Sequence, residues 1–326
     1  MTGPAPRDDL QGATVLVAGG RGFIGSHVVR TLVRLGAKPV VFGPPMTADL
    51  LEDLAGSIID VTGSIEDRDA LEGVFARYRP RLVLSCVAYG AGRLGLMRTG
   101  EAELSRSMAV NVNGFATLLD VAAHAGVTRL VWTSSTVVYG PATAYGPRRV
   151  TEDDPTAPVT GYGLTKELAE RVAAHCARRG AIEVVGLRLP LVLGPGLWYD
   201  GVASAIANVF ARVAGGDPAS IAFHDQPLDF MAATDAAGAI VAALGHAGSL
   251  SGLYNLTGFT ASVPDILACL RKAMPSANVS YDRQPTPVLF PLVDGARFSR
   301  DTGFRCAHDL RSLVHQLLGT REPAHV

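Results

Sequence analysis

The sequence predicts an α/β fold: a doubly wound parallel sheet followed by a smaller, mostly helical C-terminal lobe. Three observations predict it. Short apolar runs alternate with longer helical patterns through the first 190 residues. The runs are nearly continuous in Val, Ile and Leu, as in strands covered on both faces. A glycine-rich turn joins the first run to the first helical stretch, a joint that parallel α/β sheets use to approach a ligand.

Taken in order, Thr14-Val-Leu-Val-Ala18 reads as the first strand, and a helix follows through Leu35, stopped by Gly36. Pro39-Val-Val-Phe42 and Ser57-Ile-Ile-Asp-Val61 read as the second and third strands. A helix is expected over Asp67–Tyr78, and a fourth strand over Arg81-Leu-Val-Leu-Ser-Cys-Val87. Glu101 to Ala125 reads as one long helix closed by Gly126. Arg129-Leu-Val-Trp-Thr-Ser134 is the fifth strand, Tyr162–Arg179 a helix closed by Gly180, and Ile182–Leu189 the sixth strand. Beyond about residue 195 the alternation gives way to helices at Ser204–Ala214, Ala233–Gly245, Val263–Met274 and Leu310–Leu318, separated by Pro- and Gly-rich turns. Residues 1–190 are therefore expected to form a dinucleotide-binding Rossmann domain, and residues 191–326 a substrate-binding lobe that interleaves with it.

Composition narrows the function. The chain has 326 residues, 48% apolar and 18% charged, with net charge −1. That balance suits an enzyme with a large core and gives no overall field to attract nucleic acid or an acidic membrane. Met1 to Asp9 mix Pro, Gly and charge without the apolar stretch of a leader. No run approaches the roughly 18 apolar residues of a membrane span. Cys86, Cys176, Cys269 and Cys306 are far apart, which points to reduced thiols in the cytoplasm and to no metal site.

Gly19, Gly22 and Gly25 have the G-x-x-G-x-x-G spacing, with Arg21, Phe23 and Ile24 between them. Glycine there allows a tight turn, close approach of the backbone to a pyrophosphate, and close packing of helix on strand. The helix start then offers free N–H groups to the phosphates. The second strand ends Val40-Val-Phe-Gly43-Pro-Pro45, without the acid that would bind the ribose of NAD. Arg21 faces a 2′-phosphate or simply solvent, so NAD and NADP both remain open. Asp60 and Val61 are candidates for holding adenine.

Tyr162-Gly-Leu-Thr-Lys166 places a phenol and an ammonium on one helical face. A phenol has an ordinary pKa of about 10. A nearby cation, together with the positive nicotinamide of an oxidised cofactor, is expected to lower it, so that Tyr162 takes a hydroxyl proton and gives it back. The fifth strand runs into Thr133-Ser-Ser-Thr-Val-Val-Tyr-Gly140, which puts hydroxyls where open α/β sheets bind ligands. Ser135 is the expected substrate anchor; Ser134 and Thr136 are alternatives.

With these motifs assembled, the sequence resembles the extended short-chain dehydrogenase/reductase family, the group that contains sugar-nucleotide epimerases and dehydratases. The carriers are the Gly19 loop, Asp60-Val61, Asn111-Val-Asn-Gly114, Ser134-Ser135, Val138-Tyr-Gly140, Tyr162-x-x-x-Lys166, Leu187-Arg-Leu-Pro190, Gly194-Pro-Gly196, Asp229-Phe230, Asp235 and Tyr254-Asn-Leu256. The resemblance covers roughly residues 13–260. It implies that Tyr162 is the general acid/base, Lys166 its partner and ribose ligand, and Ser135 the anchor. It also implies that Asn111 supports the site, that Val87 and Ala88 line the cofactor cleft, and that Pro190 lies by the nicotinamide amide. Family members often dimerise through the helices carrying Asn111 and Tyr162, so a homodimer is expected. Ala116, Ala122, Ala123, Ala169 and Ala173 fit either that contact or an internal core.

Three positions depart from the family pattern. Leu191 stands where many members carry a diphosphate-binding Asn. Thr136-Val137 replaces the Asp-Glu of the dehydratases, which removes the acid and base needed to eliminate water. Leu228 replaces the Arg before Asp229-Phe230. Arg188, Arg212, Arg283 and Arg297 are candidate anion contacts, and Trp198-Tyr199 a candidate wall for a sugar ring. His224 and His308 show no ligand spacing.

The expected function is NAD(P)-dependent hydride transfer at a secondary alcohol or ketone of a sugar, sugar acid or related small polar molecule. The alternatives are a sugar-nucleotide epimerase with tightly bound NAD, and a nucleotide-sensing protein without catalysis.

Overall fold

The structure, a computed structural model, describes residues 10–46, 49–286 and 288–319, so the expectation for Met1 to Asp9 lies outside the described residues. In chain order the first elements are β1 (Thr14–Ala18), α1 (Phe23–Arg34), β2 (Lys38–Gly43), β3 (Ile59–Thr62), α2 (Arg68–Tyr78) and β4 (Leu82–Ser85). Next come α3 (Leu96–Ala102), α4 (Leu104–Met108), a π turn at Ala109–Gly114, α5 (Phe115–His124), β5 (Arg129–Ser135), α6 (Gly161–Arg178) and β6 (Glu183–Leu189). The remainder runs β7 (Leu191–Leu193), α7 (Val202–Ala214), β8 (Ala219–Phe223), β9 (Leu228–Ala232), α8 (Ala233–Leu244) and β10 (Leu253–Asn255). It ends with β11 (Phe259–Ala261), α9 (Val263–Ala273), β12 (Val279–Arg283), α10 (Ala296–Thr302) and α11 (Leu310–Leu317).

Seven strands form one sheet in the order β10-β6-β5-β4-β1-β2-β3. Every pairing within it is parallel. The order reverses between β1 and β4, and a ligand crevice opens beyond the carboxyl ends of strands at such a switch point. The sheet is covered on both faces, as its apolar strands require. On one face α1 packs beside α8, whose Ala236, Ala237, Ala239, Ile240 and Ala243 are fully buried. On the other, α2, α5 and α6 bring Leu71, Phe75, Leu118, Leu119 and Ala169 against Val83, Leu130 and Trp132. Ala122, Ala169 and Ala173 thus belong to the chain's own core.

Two expectations change. The single helix over Glu101–Ala125 is three helices and a π turn. It breaks at Glu103, whose backbone is not helical (φ −135°, ψ 54°). The π turn then bulges the chain at Asn111, a distortion common at functional sites. The C-terminal region also carries strands absent from the sequence reading. β7, β9 and β11 form a small sheet, β8 pairs with β12, and β10 joins the main sheet. With only three to five residues each, they are too short to show a period. They and α7, α9 and α11 enclose a separate apolar cluster around Ile206, Phe210, Phe230, Ile266 and Leu313.

Asp235, at the start of α8, accepts from the N–H groups of Ala307 and His308. The imidazole Nδ1 of His308 lies 3.1 Å from its Oδ1. The Asp235 carboxylate beside the ring raises the His308 pKa above its ordinary 6.5. The contribution of this pair is therefore full below about pH 6.5 and fades as pH rises through the raised value. His308→Gln is expected to lower the melting temperature at pH 6 and to have a smaller effect at pH 9, as read by scanning calorimetry.

Candidate active site

The glycine turn leaves β1 at Ala18 with Gly19 at φ +77°, a left-handed conformation open to glycine. The Gly19 N–H donates to Phe42 O at 2.9 Å, fixing the turn to β2. A Cβ on Gly25 would lie 2.2 Å from Gly19 O, so helix and turn touch through bare backbone. Gly22 caps α1 without a side-chain bond, and the first turn holds no acid. The N–H groups of Phe23 and Ile24 therefore stand open beside a positive helix end. This cradle fits a dinucleotide pyrophosphate. The Phe23 side chain is buried in the core and Ile24 packs at its edge, so their backbone faces the ligand.

Arg21 and Asp60 pair with each other through both guanidinium nitrogens and both carboxylate oxygens. In sequence each is a separate candidate for the adenosine end; the structure joins them across the mouth of β1 and β3. Val61 packs behind them against the α2 face of the sheet. Val87 and Ala88 lie just beyond β4, half-buried, and the Val87 backbone comes within 3.1 Å of where a Gly19 Cβ would be. Pro190 is half-buried between β6 and β7.

Lys166 is buried on α6 and donates to Thr133 O at 2.8 Å and to Val87 O at 3.4 Å. Its Nζ sits 5.7 Å from the centre of the Tyr162 ring and 5.8 Å from that of Trp132. Burial pushes its pKa down to about 8. The Tyr162 phenol is pushed up, by burial first and by the neighbouring Tyr199 second. In the free protein, without the nicotinamide charge on which the expected lowering also depends, desolvation outweighs the ammonium, which lies by the ring and is tied to strand carbonyls. Ser135 ends β5 half-exposed, and its Oγ accepts only a long 3.4 Å bond from Val137 N–H. Ser134 is buried and donates to Glu170 Oε1 at 2.6 Å, so its hydroxyl proton is already committed. Thr136 is half-buried at the start of a 3₁₀ turn. Asn111 is buried; it accepts from Tyr89 N–H at 2.7 Å and donates to Thr165 Oγ1 at 3.1 Å. It thereby ties the β4–α3 loop to α6.

The anion candidates are otherwise engaged. Arg188, 3% exposed, is held by Glu170 and Tyr139. Arg297 pairs with Glu152 and Asp153, Arg283 with Asp225, and Arg212 donates to Pro218 O. Leu191 packs partly buried on the apolar cluster of the C-terminal region. Trp198 and Tyr199 meet edge to face, ring centres 5.7 Å apart, and the Trp198 indole N–H is buried without an acceptor among the described residues. Among the described residues no His, Cys, Asp and Glu cluster could hold a metal.

The family model described as the NAD dependent epimerase/dehydratase family matches residues 15–257, a span that includes the cradle and the Ser135, Tyr162 and Lys166 site. The chain belongs to this family. A UDP-glucose 4-epimerase of Rhizobium leguminosarum bv. trifolii is 32% identical over 55% of this chain and 52% of its own length. The chain thus matches about half the length of the first of its curated relatives. A UDP-glucose 4-epimerase of Neisseria meningitidis serogroup C is 29% identical over 83% of this chain and 85% of its own. The solved structure of a UDP-glucose 4-epimerase of Thermotoga maritima with UDP-glucose superposes with a TM-score of 0.81 at 23% identity, covering 94% of this chain and 97% of that one. That likeness establishes the fold.

Within this epimerase/dehydratase frame, the structure adds residues that the sequence reading missed. A Cβ on Gly100 of α3 would lie 2.3 Å from Tyr162 N, and one on Gly161 would lie 2.4 Å from Gly100 O. Glu101 Oε1 accepts from Gly161 N–H at 2.6 Å. Helix α3 therefore rests directly on the first turn of α6 and sets the height of Tyr162. Gly100→Ala must push these backbones away from each other. It is expected to lower kcat tenfold or more while moving cofactor affinity by less than threefold, as measured by steady-state kinetics and calorimetric titration. No sequence spacing reveals this contact. Glu170 was findable, since it lies four residues beyond Lys166 on the same face of α6.

Proposed function

We propose that this protein is an NAD-dependent sugar-nucleotide epimerase that inverts a ring carbinol, with UDP-glucose and UDP-galactose as the first pair to test. The arrangement of Ser135, Tyr162 and Lys166 beside the glycine cradle carries the reading, and relatives of that name support it over net oxidation. The cradle of Gly19, Gly22 and Gly25 would hold the pyrophosphate, the Arg21–Asp60 pair would face the adenosine, and Lys166 and Asn111 would fix the nicotinamide side. Arg21, the candidate partner of a 2′-phosphate, is already paired with Asp60, and the family is NAD dependent; both support NAD over NADP. When bound, the cofactor supplies a reversible hydride acceptor.

Ser135 donates a hydrogen bond to the substrate oxygen and orients it. Tyr162 takes the proton from that oxygen and later returns it, so the side chains end unchanged. Lys166 holds positive charge beside the phenol. Trp198 and Tyr199 form the wall of the sugar pocket, and the unpaired Trp198 N–H seeks a hydroxyl. Exposed Leu164, with half-buried Leu168 and Val172 below it on α6, supports a homodimer through α5 and α6.

The test is to denature the purified protein, identify the released nucleotide by mass spectrometry, and follow interconversion of UDP-glucose and UDP-galactose without added cofactor. Conversion with no net NADH is expected. Stoichiometric NADH from a sugar or sugar acid, with nucleotide sugars inert, would overturn it in favour of net oxidoreduction. Leu191 motivates that second reading, because an apolar side chain stands where a diphosphate ligand is usual.

A further inference from the structure

We propose that Glu170 is a positioning residue: its carboxylate, shared by Ser134 of β5 and Arg188 of β6, locks α6 so that Tyr162 and Lys166 face Ser135. The proposal rests on the assignment of Tyr162 and Lys166 as the proton-handling pair. Tyr162, Lys166 and Glu170 follow one another at four-residue steps, each turned only about 40° around the helix. The first two face the cleft. The third reaches behind it. Glu170 Oε1 accepts from Ser134 Oγ at 2.6 Å and from Arg188 Nε at 2.8 Å, and Oε2 accepts from Arg188 Nη2 at 2.7 Å. The guanidinium is thus gripped at two points, which fixes direction as well as distance.

The lock extends further. Arg188 Nη1 donates to Tyr139 Oη at 2.6 Å, and Tyr139 donates in turn to Asn255 Oδ1 at 2.8 Å, reaching β10. Ser134 is adjacent to Ser135, and Thr133 O is the carbonyl that receives Lys166. One carboxylate therefore connects the strand bearing the substrate anchor to the helix bearing the acid/base. A slip of that helix by a fraction of a turn would separate Ser135 from Tyr162 without unfolding either element.

Glu170 also acts on Lys166 through charge. Burial pushes Lys166 down to about 8, opposed first by the Cys86 site and then by Glu170. Cys86 at the end of β4 is itself pushed up to about 12 by burial, which keeps it a neutral thiol. From the other packed elements, Lys166 faces the Trp132 ring and Thr133 carbonyl of β5 and the Val87 carbonyl. Asn111 of the π turn is neutral, Tyr139 accepts from Arg188, and Arg188 of β6 is the cation paired with Glu170 itself. Glu103 of the α3–α4 junction and Arg106 of α4 bond to Tyr89 and Glu66, Glu101 of α3 bonds to the Gly161 N–H, and Asp120 of α5 pairs with Arg68. Glu170 is thus the anion that matters to Lys166.

The chain has two tryptophans. In a Trp198→Phe background the emission of Trp132 reports the charge of Lys166 in the free protein, with no turnover needed. The transition is expected near pH 8. In Glu170→Gln it should move down by about one pH unit, because an amine without its counter-charge loses its proton sooner. In Glu170→Asp it should stay within a few tenths of a unit. With substrate, Glu170→Gln should lower kcat at least tenfold with KM nearly unchanged, and its alkaline limb should shift with the fluorescence. An unmoved transition in Glu170→Gln, or kcat within twofold of the parent, would overturn the proposal. Should Glu170→Gln fail to fold, Ser134→Ala removes one bond and leaves the charge. It should keep the fluorescence transition while reducing kcat severalfold, and a parental kcat would count against the lock. If nucleotide sugars prove inert, the fluorescence result still decides the role of Glu170, while the substrate reading fails separately.

Discussion

Tyr162→Phe is expected to lower turnover by about a thousandfold, the middle of the range that a positioned acid/base contributes. Dinucleotide affinity should change by no more than about twofold, since the variant removes one oxygen and leaves the ring. That ring is what Lys166 touches: Nζ lies 5.7 Å from its centre, and its hydrogen bonds go to Thr133 and Val87. The lysine should therefore stay in place when the hydroxyl is lost. In the free protein the phenol holds its proton tightly because burial raises its pKa. Free protein should accordingly show no phenolate absorption from Tyr162 between pH 7 and pH 9, and adding the oxidised cofactor should bring it into that window. Single-turnover kinetics with titration calorimetry on the same preparation checks both expectations. Turnover within tenfold of the parent would remove Tyr162 from the proton transfer.

Gly25→Ala is expected to weaken dinucleotide binding by at least about a hundredfold, equivalent to roughly 2.7 kcal/mol. The added methyl would sit 2.2 Å from Gly19 O and 2.8 Å from Gly20 Cα. Both are backbone atoms, so neither can rotate away. Helix α1 would have to retreat from the turn, carrying its open N–H groups off the pyrophosphate. The melting temperature should fall as well, because Val28, Val29 and Leu32 of α1 are fully buried against the sheet. Gly73→Ala is the matched control: it is exposed on α2, with nothing within 4 Å of the added methyl. It should stabilise the fold by up to about 1 kcal/mol, since alanine favours the helix. Equal affinity of the Gly25 variant and the parent would show that the cradle does not hold the phosphates.

Much of the site was legible because its signals are local. The Gly19 loop lies between a strand and a helix, Tyr162 and Lys166 are one helical turn apart, and Ser135 ends a strand. Each of these relations spans only a few residues of chain, so spacing alone expresses it. The limits of that reading are equally physical. The pKa of Tyr162 depends on how much water surrounds it, which no spacing encodes. Arg188 and Arg21 read as free cations because their partners, Glu170 and Asp60, are distant in sequence. The long helix around Asn111 kept its helical composition while breaking at Glu103.

Local sequence was enough to specify the parallel sheet, the dinucleotide cradle and the candidate catalytic side chains, since periodicity and short motifs follow from local backbone geometry. Packing in three dimensions settled which serine is open, which arginines are already held, and how α3 and Glu170 fix the height of α6. Those outcomes turn on close approach and desolvation between segments far apart in the chain, and such contacts exist only after the segments have packed.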